Sequence, residues 1–151
     1  MKISVSGLGY IGLPTATMFA HYGAHVIGLD VNQHAIDTIN QGKIHIVEPG
    51  LEDIVKDVVA QGRLKASLTP EPADAFLIAV PTPFKGDDHT PDLSYIESAV
   101  KTIAPALTRG NVVILESTSP VGATEQMVEW LSAARPDLKF PSSEQDTEFD
   151  I

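Results

Sequence analysis

Apolar positions along this chain alternate between short unbroken runs and runs spaced at helical intervals. Residues 2–6, Lys-Ile-Ser-Val-Ser, read as a strand at the very start. Between Tyr10 and Tyr22 the apolar positions recur every three or four residues. This predicts a helix with Ile11, Thr15, Met18, Phe19 and Tyr22 on one face. Gly12, Ala16 and Ala20 form a second line, small enough to let the helix lie close to a sheet. Pro14 fits only the first turn, and Gly23 is a natural stop. Residues 25–30 read as a second strand, after which Asn32 can cap a short helix carrying Ile36 and Ile39. Pro49-Gly50 marks a turn. Leu51, Ile54, Val55, Val58 and Val59 then outline an amphipathic helix ending at Gly62.

Residues 64–67 suit a short third strand. The unbroken apolar run 75–80 suits a fourth, covered on both faces. A proline-rich loop spans 81–91. The next helix begins near Asp92 or Ser94, with Ser94 and Glu97 at capping-box spacing, and buries Ile96, Ala99, Val100 and Ile103. Residues 112–117 form a fifth strand and 122–134 a last helix, in which Trp130 reads as packing. The polar, acidic stretch 141–148 is expected to be a mobile loop. Phe149-Asp150-Ile151 resembles the start of a further strand. This alternation predicts an α/β fold: a Rossmann-type doubly wound parallel sheet of order 3-2-1-4-5, its sixth strand truncated or incomplete.

With 151 residues, one domain with a substantial core is expected. The formal net charge of −10 argues against nucleic acid and anionic membranes as partners. A phosphorylated ligand stays open, because backbone N–H groups bind phosphate without Lys or Arg. There is no cysteine, hence no disulfide and no thiol chemistry in this piece. No apolar run reaches the roughly 20 residues that span a bilayer, and no leader pattern precedes the first strand, so the expected location is cytoplasmic. Asp87-Asp88-His89 is the one conceivable metal cluster. A solvated loop explains it better, so no metal is expected.

The chemistry concentrates where strands meet helices. Gly7-Leu8-Gly9-Tyr10-Ile11-Gly12 is G-x-G-x-x-G directly after a strand. Gly7 permits the tight turn, Gly9 lets a pyrophosphate approach the backbone, and Gly12 allows close packing of the helix. The N–H groups of Tyr10 and Ile11 would then face the phosphates. Asp30 ends the second strand, where an acid accepts hydrogen bonds from a ribose diol and repels a 2′-phosphate. NAD is therefore expected over NADP. In open α/β sheets ligands sit at the carboxyl ends of strands. This singles out Val80-Pro81-Thr82-Pro83 and Glu116-Ser117-Thr118-Ser119, with the hydroxyls of Thr82, Ser117 and Thr118 at the cleft. The alternative for Thr118 or Ser119 is simple capping of the last helix.

Taken together these motifs resemble the UDP-glucose/GDP-mannose dehydrogenase family. The matching stretches are Gly-Leu-Gly-Tyr-Ile-Gly-Leu-Pro (7–14), Gly-Leu-Asp-Val-Asn (28–32), Glu-Pro-Gly-Leu (48–51), Val-Pro-Thr-Pro (80–83), Pro-Asp-Leu-Ser-Tyr-Ile-Glu (91–97) and Glu-Ser-Thr-Ser-Pro-Val-Gly (116–122). Residues 30–40, 44–49, 75–86 and 114–122 are most similar to the UDP-N-acetyl-D-mannosamine dehydrogenase branch. The resemblance implies oxidation of a sugar C6 alcohol to a carboxylate with two NAD, through a cysteine thioester. It implies cofactor contacts at Tyr10, Ile11, Asp30, Thr82 and Thr118, with Thr118 also positioning water. It further implies a UDP-sugar substrate and a homodimer for the full-length protein, this piece alone being a monomer.

Two departures stand out. His34-Ala35 lies where many members carry Lys or Arg after the ribose acid, and Glu116 lies where many carry Lys. The family's catalytic cysteine and lysine, its middle dimerisation helix and its UDP-binding domain have no counterpart here, so residues 1–151 are expected to be the NAD-binding domain and inactive alone. The alternative expectation is a standalone NAD-binding regulatory module without catalysis.

Overall fold

The computed structural model describes residues 1–86, 90–141 and 149–151. Five parallel strands make the central sheet: β1 (Lys2–Ser6), β2 (His25–Leu29), β3 (Leu64–Ser67), β4 (Ala75–Ile78) and β7 (Val112–Leu115). Their spatial order is β3-β2-β1-β4-β7, the order the alternation predicts once a small hairpin is set aside. That hairpin, β5 (Phe84–Lys85) with β6 (Thr90–Pro91), lies inside the expected proline-rich loop. Two-residue strands leave no periodic signal to read.

Alternate residues of β2 and β4 feed two separate cores, and β1 feeds the first of them. Ile3, Val5, Val26 and Leu77 pack with α1 (Gly12–His21), α2 (Gln33–Asn40) and α3 (Leu51–Ala60). Ile27, Leu29, Phe76 and Ile78 pack with α4 (Ser94–Ile103) and α5 (Ala123–Ala134). This is the period-2 consequence of a sheet covered on both faces. Trp130 packs at the margin of the second core, as expected.

Some local expectations change. The first helix is shorter than 10–22, and its buried face is Gly12, Leu13, Ala16, Thr17 and Ala20. The small line of Gly12, Ala16 and Ala20 is buried as expected, with Leu13 and Thr17 beside it, and the stripe with Met18, Phe19 and Tyr22 is exposed. The Ser94–Glu97 capping box does not form. Ser94 is already helical, its N–H donates to Asp92 Oδ1 (2.9 Å), and Glu97 pairs with Lys101. Phe149–Ile151 takes no strand conformation. The Asp150 carbonyl accepts from Gly110 N–H and its N–H donates to the Lys139 carbonyl, so loops hold it rather than a ladder. Apart from Pro141, the expected mobile stretch 141–148 lies outside the described residues, as does Asp87-Asp88-His89. Among the described residues no acid, His or Cys cluster could hold a metal, and no helix is long and apolar enough to cross a membrane.

Candidate dinucleotide site

At the carboxyl end of β1 the chain turns sharply into α1. Gly7 has φ +89°, and a Cβ there would lie 2.7 Å from the Ala79 carbonyl oxygen. Its N–H donates to the Leu29 carbonyl (2.8 Å), tying the turn to β2. Leu8 is fully buried against Gly28, where any Cβ would meet the Leu8 side chain at 2.7 Å. Gly9 has open space where its Cβ would be, whereas a Cβ on Gly12 would stand 1.7 Å from the Gly7 carbonyl oxygen. Gly9 therefore clears room in front of the loop, and Gly12 lets the helix fold back onto it. No side chain caps α1. Leu13 N–H and Thr15 N–H are taken by the carbonyls of Gly9 and Ile11, and Pro14 has none, so the N–H groups open to a ligand are those of Tyr10, Ile11 and Gly12, beside the positive end of the helix dipole.

Asp30 follows β2 and is fixed by two backbone donors. Its Oδ2 accepts Leu8 N–H (2.8 Å) and its Oδ1 accepts Asn32 N–H (2.9 Å). Each oxygen keeps capacity for a further hydrogen bond. Asn32 caps α2 as the sequence predicts, its Oδ1 accepting from the N–H groups of His34 and Ala35. The acid is thus held beside the glycine loop by the loop itself.

The two later loops meet across β4 and β7. The Thr82 hydroxyl donates to the Thr118 carbonyl, linking them directly. Ser117 Oγ donates to the carbonyl oxygen of Val80 (2.8 Å) and to that of Ile78 (3.2 Å), so it staples β4 to β7 instead of presenting its proton to the cleft. Thr118 is exposed, and no side chain caps α5, so Thr118 and Ser119 do not serve as its cap. Glu116 Oε1 accepts the Thr15 hydroxyl (2.8 Å), which ties β7 to α1. Behind Thr82 the loop is braced by Asp92, whose N–H donates to the Pro83 carbonyl (2.7 Å). Lys85 and then the Ser94 hydrogen bonds hold its carboxyl at about 2, below the ordinary 3.8.

These elements enclose one open cleft of about 590 Å³, within the size range of small-molecule sites. Gly7, Gly9, Tyr10, Ile11, Asp30, Thr82 and Thr118 all line it, and Gly12 lies behind, packing helix to turn. Exposed apolar side chains gather at its rim: Tyr10 is 62% exposed, Ile11 57%, Val31 94% and Leu68 51%. Sequence reasoning missed His45, Leu68, Tyr95 and the α4 residues Ser98, Ala99 and Thr102. His45 lies in an irregular loop and Leu68 just past a strand. Ser98 and Thr102, four apart on the polar side of a helix, carry the one readable signal.

The donor set fits NAD. Backbone N–H groups at the start of α1 would suit a diphosphate, the Asp30 carboxylate would suit a ribose diol, and Gly9 leaves space. The cleft lining contains no Lys or Arg to take a 2′-phosphate.

A parallel sheet wound in this order, with a glycine-rich turn and an acid at its carboxyl edge, defines a Rossmann-type dinucleotide-binding domain. The chain belongs to the UDP-glucose/GDP-mannose dehydrogenase family, whose NAD binding domain matches residues 1–151. It is 66% identical over 149 residues to an NDP-N-acetyl-D-galactosaminuronic acid dehydrogenase from Ralstonia nicotianae, covering 99% of this chain and 35% of that protein. It is 66% identical over 139 residues to the UDP-N-acetyl-D-mannosamine dehydrogenase of Escherichia coli, covering 92% and 33%. The solved UDP-D-ManNAc dehydrogenase of Pyrococcus horikoshii superposes with a TM-score of 0.88 at 41% identity, over 99% of this chain and 34% of that one. The chain therefore spans about a third of the length of these relatives.

Proposed function

We propose that this chain is the cofactor-binding part of a nucleotide-sugar 6-dehydrogenase. The complete protein would oxidise UDP-N-acetyl-D-mannosamine to UDP-N-acetyl-D-mannosaminuronate with two NAD. The observation that carries the reading is the Asp30 carboxylate, locked to Leu8 N–H beside the uncapped start of α1. It offers an acceptor for the adenosine ribose within reach of donors for the diphosphate. NAD, when bound, supplies the hydride acceptor. Tyr10 and Ile11 offer backbone N–H groups, Gly7 and Gly9 leave the backbone bare, and Gly12 holds the helix in place. Thr82 and Thr118, joined by their hydrogen bond, would order the far end of the cofactor, and Thr118 would position the attacking water. The acidic chain needs no nucleic acid or membrane partner. A homodimer in the cytoplasm is the expected state of the complete enzyme.

The sugar is the finer part of the proposal, since similar relatives carry two sugar names. The chain has no cysteine for a thioester step. The purified chain should therefore bind NAD by calorimetry, bind NADP much more weakly, and give no NADH with any UDP-sugar. Steady NADH formation by the chain alone would overturn the reading. So would NADP binding as tight as NAD. A longer form of the protein, assayed with UDP-N-acetylmannosamine against its galactosamine counterpart, assigns the substrate.

A further inference from the structure

His45 stands in the loop between α2 and α3. Its neighbours Ile44 and Ile46 pack on the core formed by α1, α2, α3 and the first strands. Both flanks are thus anchored, and His45 is among the residues that line the cleft, as are Asp30, Asn32 and Ala35. Its Nδ1 is buried and has no hydrogen-bond partner. A buried polar atom left unpaired is costly, and nearly all such atoms are paired in folded proteins. Among the described residues three side-chain atoms are in this state, on Ser4, His45 and Glu116, and of these residues only His45 lines the cleft.

The chemistry around it is sparse in donors: the Asn32 amide Nδ2 is the one side-chain donor among Asp30, Asn32 and Ala35. Asp30 is an acceptor and already takes two backbone N–H groups. Asn32 spends its Oδ1 on the cap of α2. Ala35 brings no polar group, and no Lys or Arg lines the cleft. A ribose diol presents two hydroxyls, each both donor and acceptor, so an acid alone satisfies half of it. We propose that His45 is the second ribose-recognising residue. Its imidazole hydrogen-bonds the adenosine ribose hydroxyl that Asp30 leaves unsatisfied. A half-turn of the ring about χ2 exchanges Nδ1 with Cδ2 and Nε2 with Cε1, so the imidazole can present a nitrogen on either edge without movement of the anchored loop. His45 thereby becomes a specificity determinant for the adenosine end of the cofactor. This rests on the reading of the cleft as the NAD site.

The test compares wild type, His45→Ala and His45→Gln by calorimetry with NAD, ADP-ribose and the 2′-deoxy and 3′-deoxy adenosine analogues of NAD. Circular dichroism melts check that each variant is folded. The expected result is a roughly 5- to 20-fold loss for H45A, the net worth of one or two hydrogen bonds. The loss is equal for NAD and ADP-ribose, partly restored in H45Q, and absent with one of the deoxy analogues. Unchanged NAD affinity in H45A, with wild type binding normally, overturns the role of His45 alone. A loss in H45A that persists with both deoxy analogues assigns His45 to loop packing and also overturns it. Failure of wild type to bind NAD overturns the site itself, and the His45 role with it.

Discussion

Two glycines three positions apart make opposite predictions. In a solvent-exposed helix, Gly→Ala stabilises by about 1 kcal/mol. At Gly12, however, the new Cβ would lie 1.7 Å from the Gly7 carbonyl oxygen and 3.2 Å from the Ala79 Cβ. The Gly7 carbonyl belongs to a turn whose N–H is bonded to Leu29, so it cannot withdraw alone. Overpacking of this kind costs about 1–3 kcal/mol, and more against rigid backbone. Gly12→Ala should therefore destabilise the chain by about 3 kcal/mol or more. For a domain of this size that lowers the melting temperature by about 6–12 °C. Gly9 has nothing within 4 Å of its Cβ position and no positive φ. Gly9→Ala should change stability by less than about 0.5 kcal/mol, yet weaken NAD at least about tenfold, or 1.4 kcal/mol, because the methyl fills the space in front of the loop. Thermal and urea unfolding together with NAD calorimetry separate the two. A Gly12→Ala variant as stable as wild type would refute the packing argument, and a Gly9→Ala variant with wild-type affinity would refute the placement of the diphosphate.

Asp30→Ala should cost about 1.5–3 kcal/mol of NAD binding, the range for hydrogen bonds to a charged group, and narrow the preference over NADP; equal losses for both cofactors would count against a ribose role. The Ser94 amide should report the titration of Asp92, since its N–H donates to that carboxylate, with a midpoint of about 2 by NMR. A depressed folded value means that the Lys85–Asp92 brace is fully present above the ordinary 3.8 and is lost as pH falls toward 2; a midpoint near 3.8 would show that the pair does not form. Arg135 donates Nη1 to the carbonyl oxygens of Ala104 (2.8 Å) and Leu107 (2.7 Å). Arg135→Met should lower the urea midpoint by taking the guanidinium donor from both oxygens, Ala104 keeping only the Leu107 N–H (3.2 Å), whereas an unchanged midpoint would mean that water replaces the guanidinium.

Much of this molecule is written in local pattern. Short apolar runs separated by amphipathic helices set the strands and their order, because a parallel sheet covered on both faces can be wound from such units in few ways. G-x-G-x-x-G and Asp30 were legible for a related reason: a turn with positive φ, a bare backbone and an acid at a strand end are requirements on single residues. The tertiary structure decided whatever depends on what a side chain meets. The small line of α1 was legible as the one able to approach a sheet, but that Leu13 and Thr17 are buried beside it was decided by the packing. The Ser117 hydroxyl is turned to the Val80 and Ile78 carbonyls, and the Ser94–Glu97 spacing is overruled by Asp92, which reaches Ser94 first. His45 enters the cleft from an irregular loop whose course is set by Ile44 and Ile46 finding the core. A sequence fixes backbone propensity and the side on which apolar residues fall. Which polar atom meets which partner is set only when distant segments are packed together.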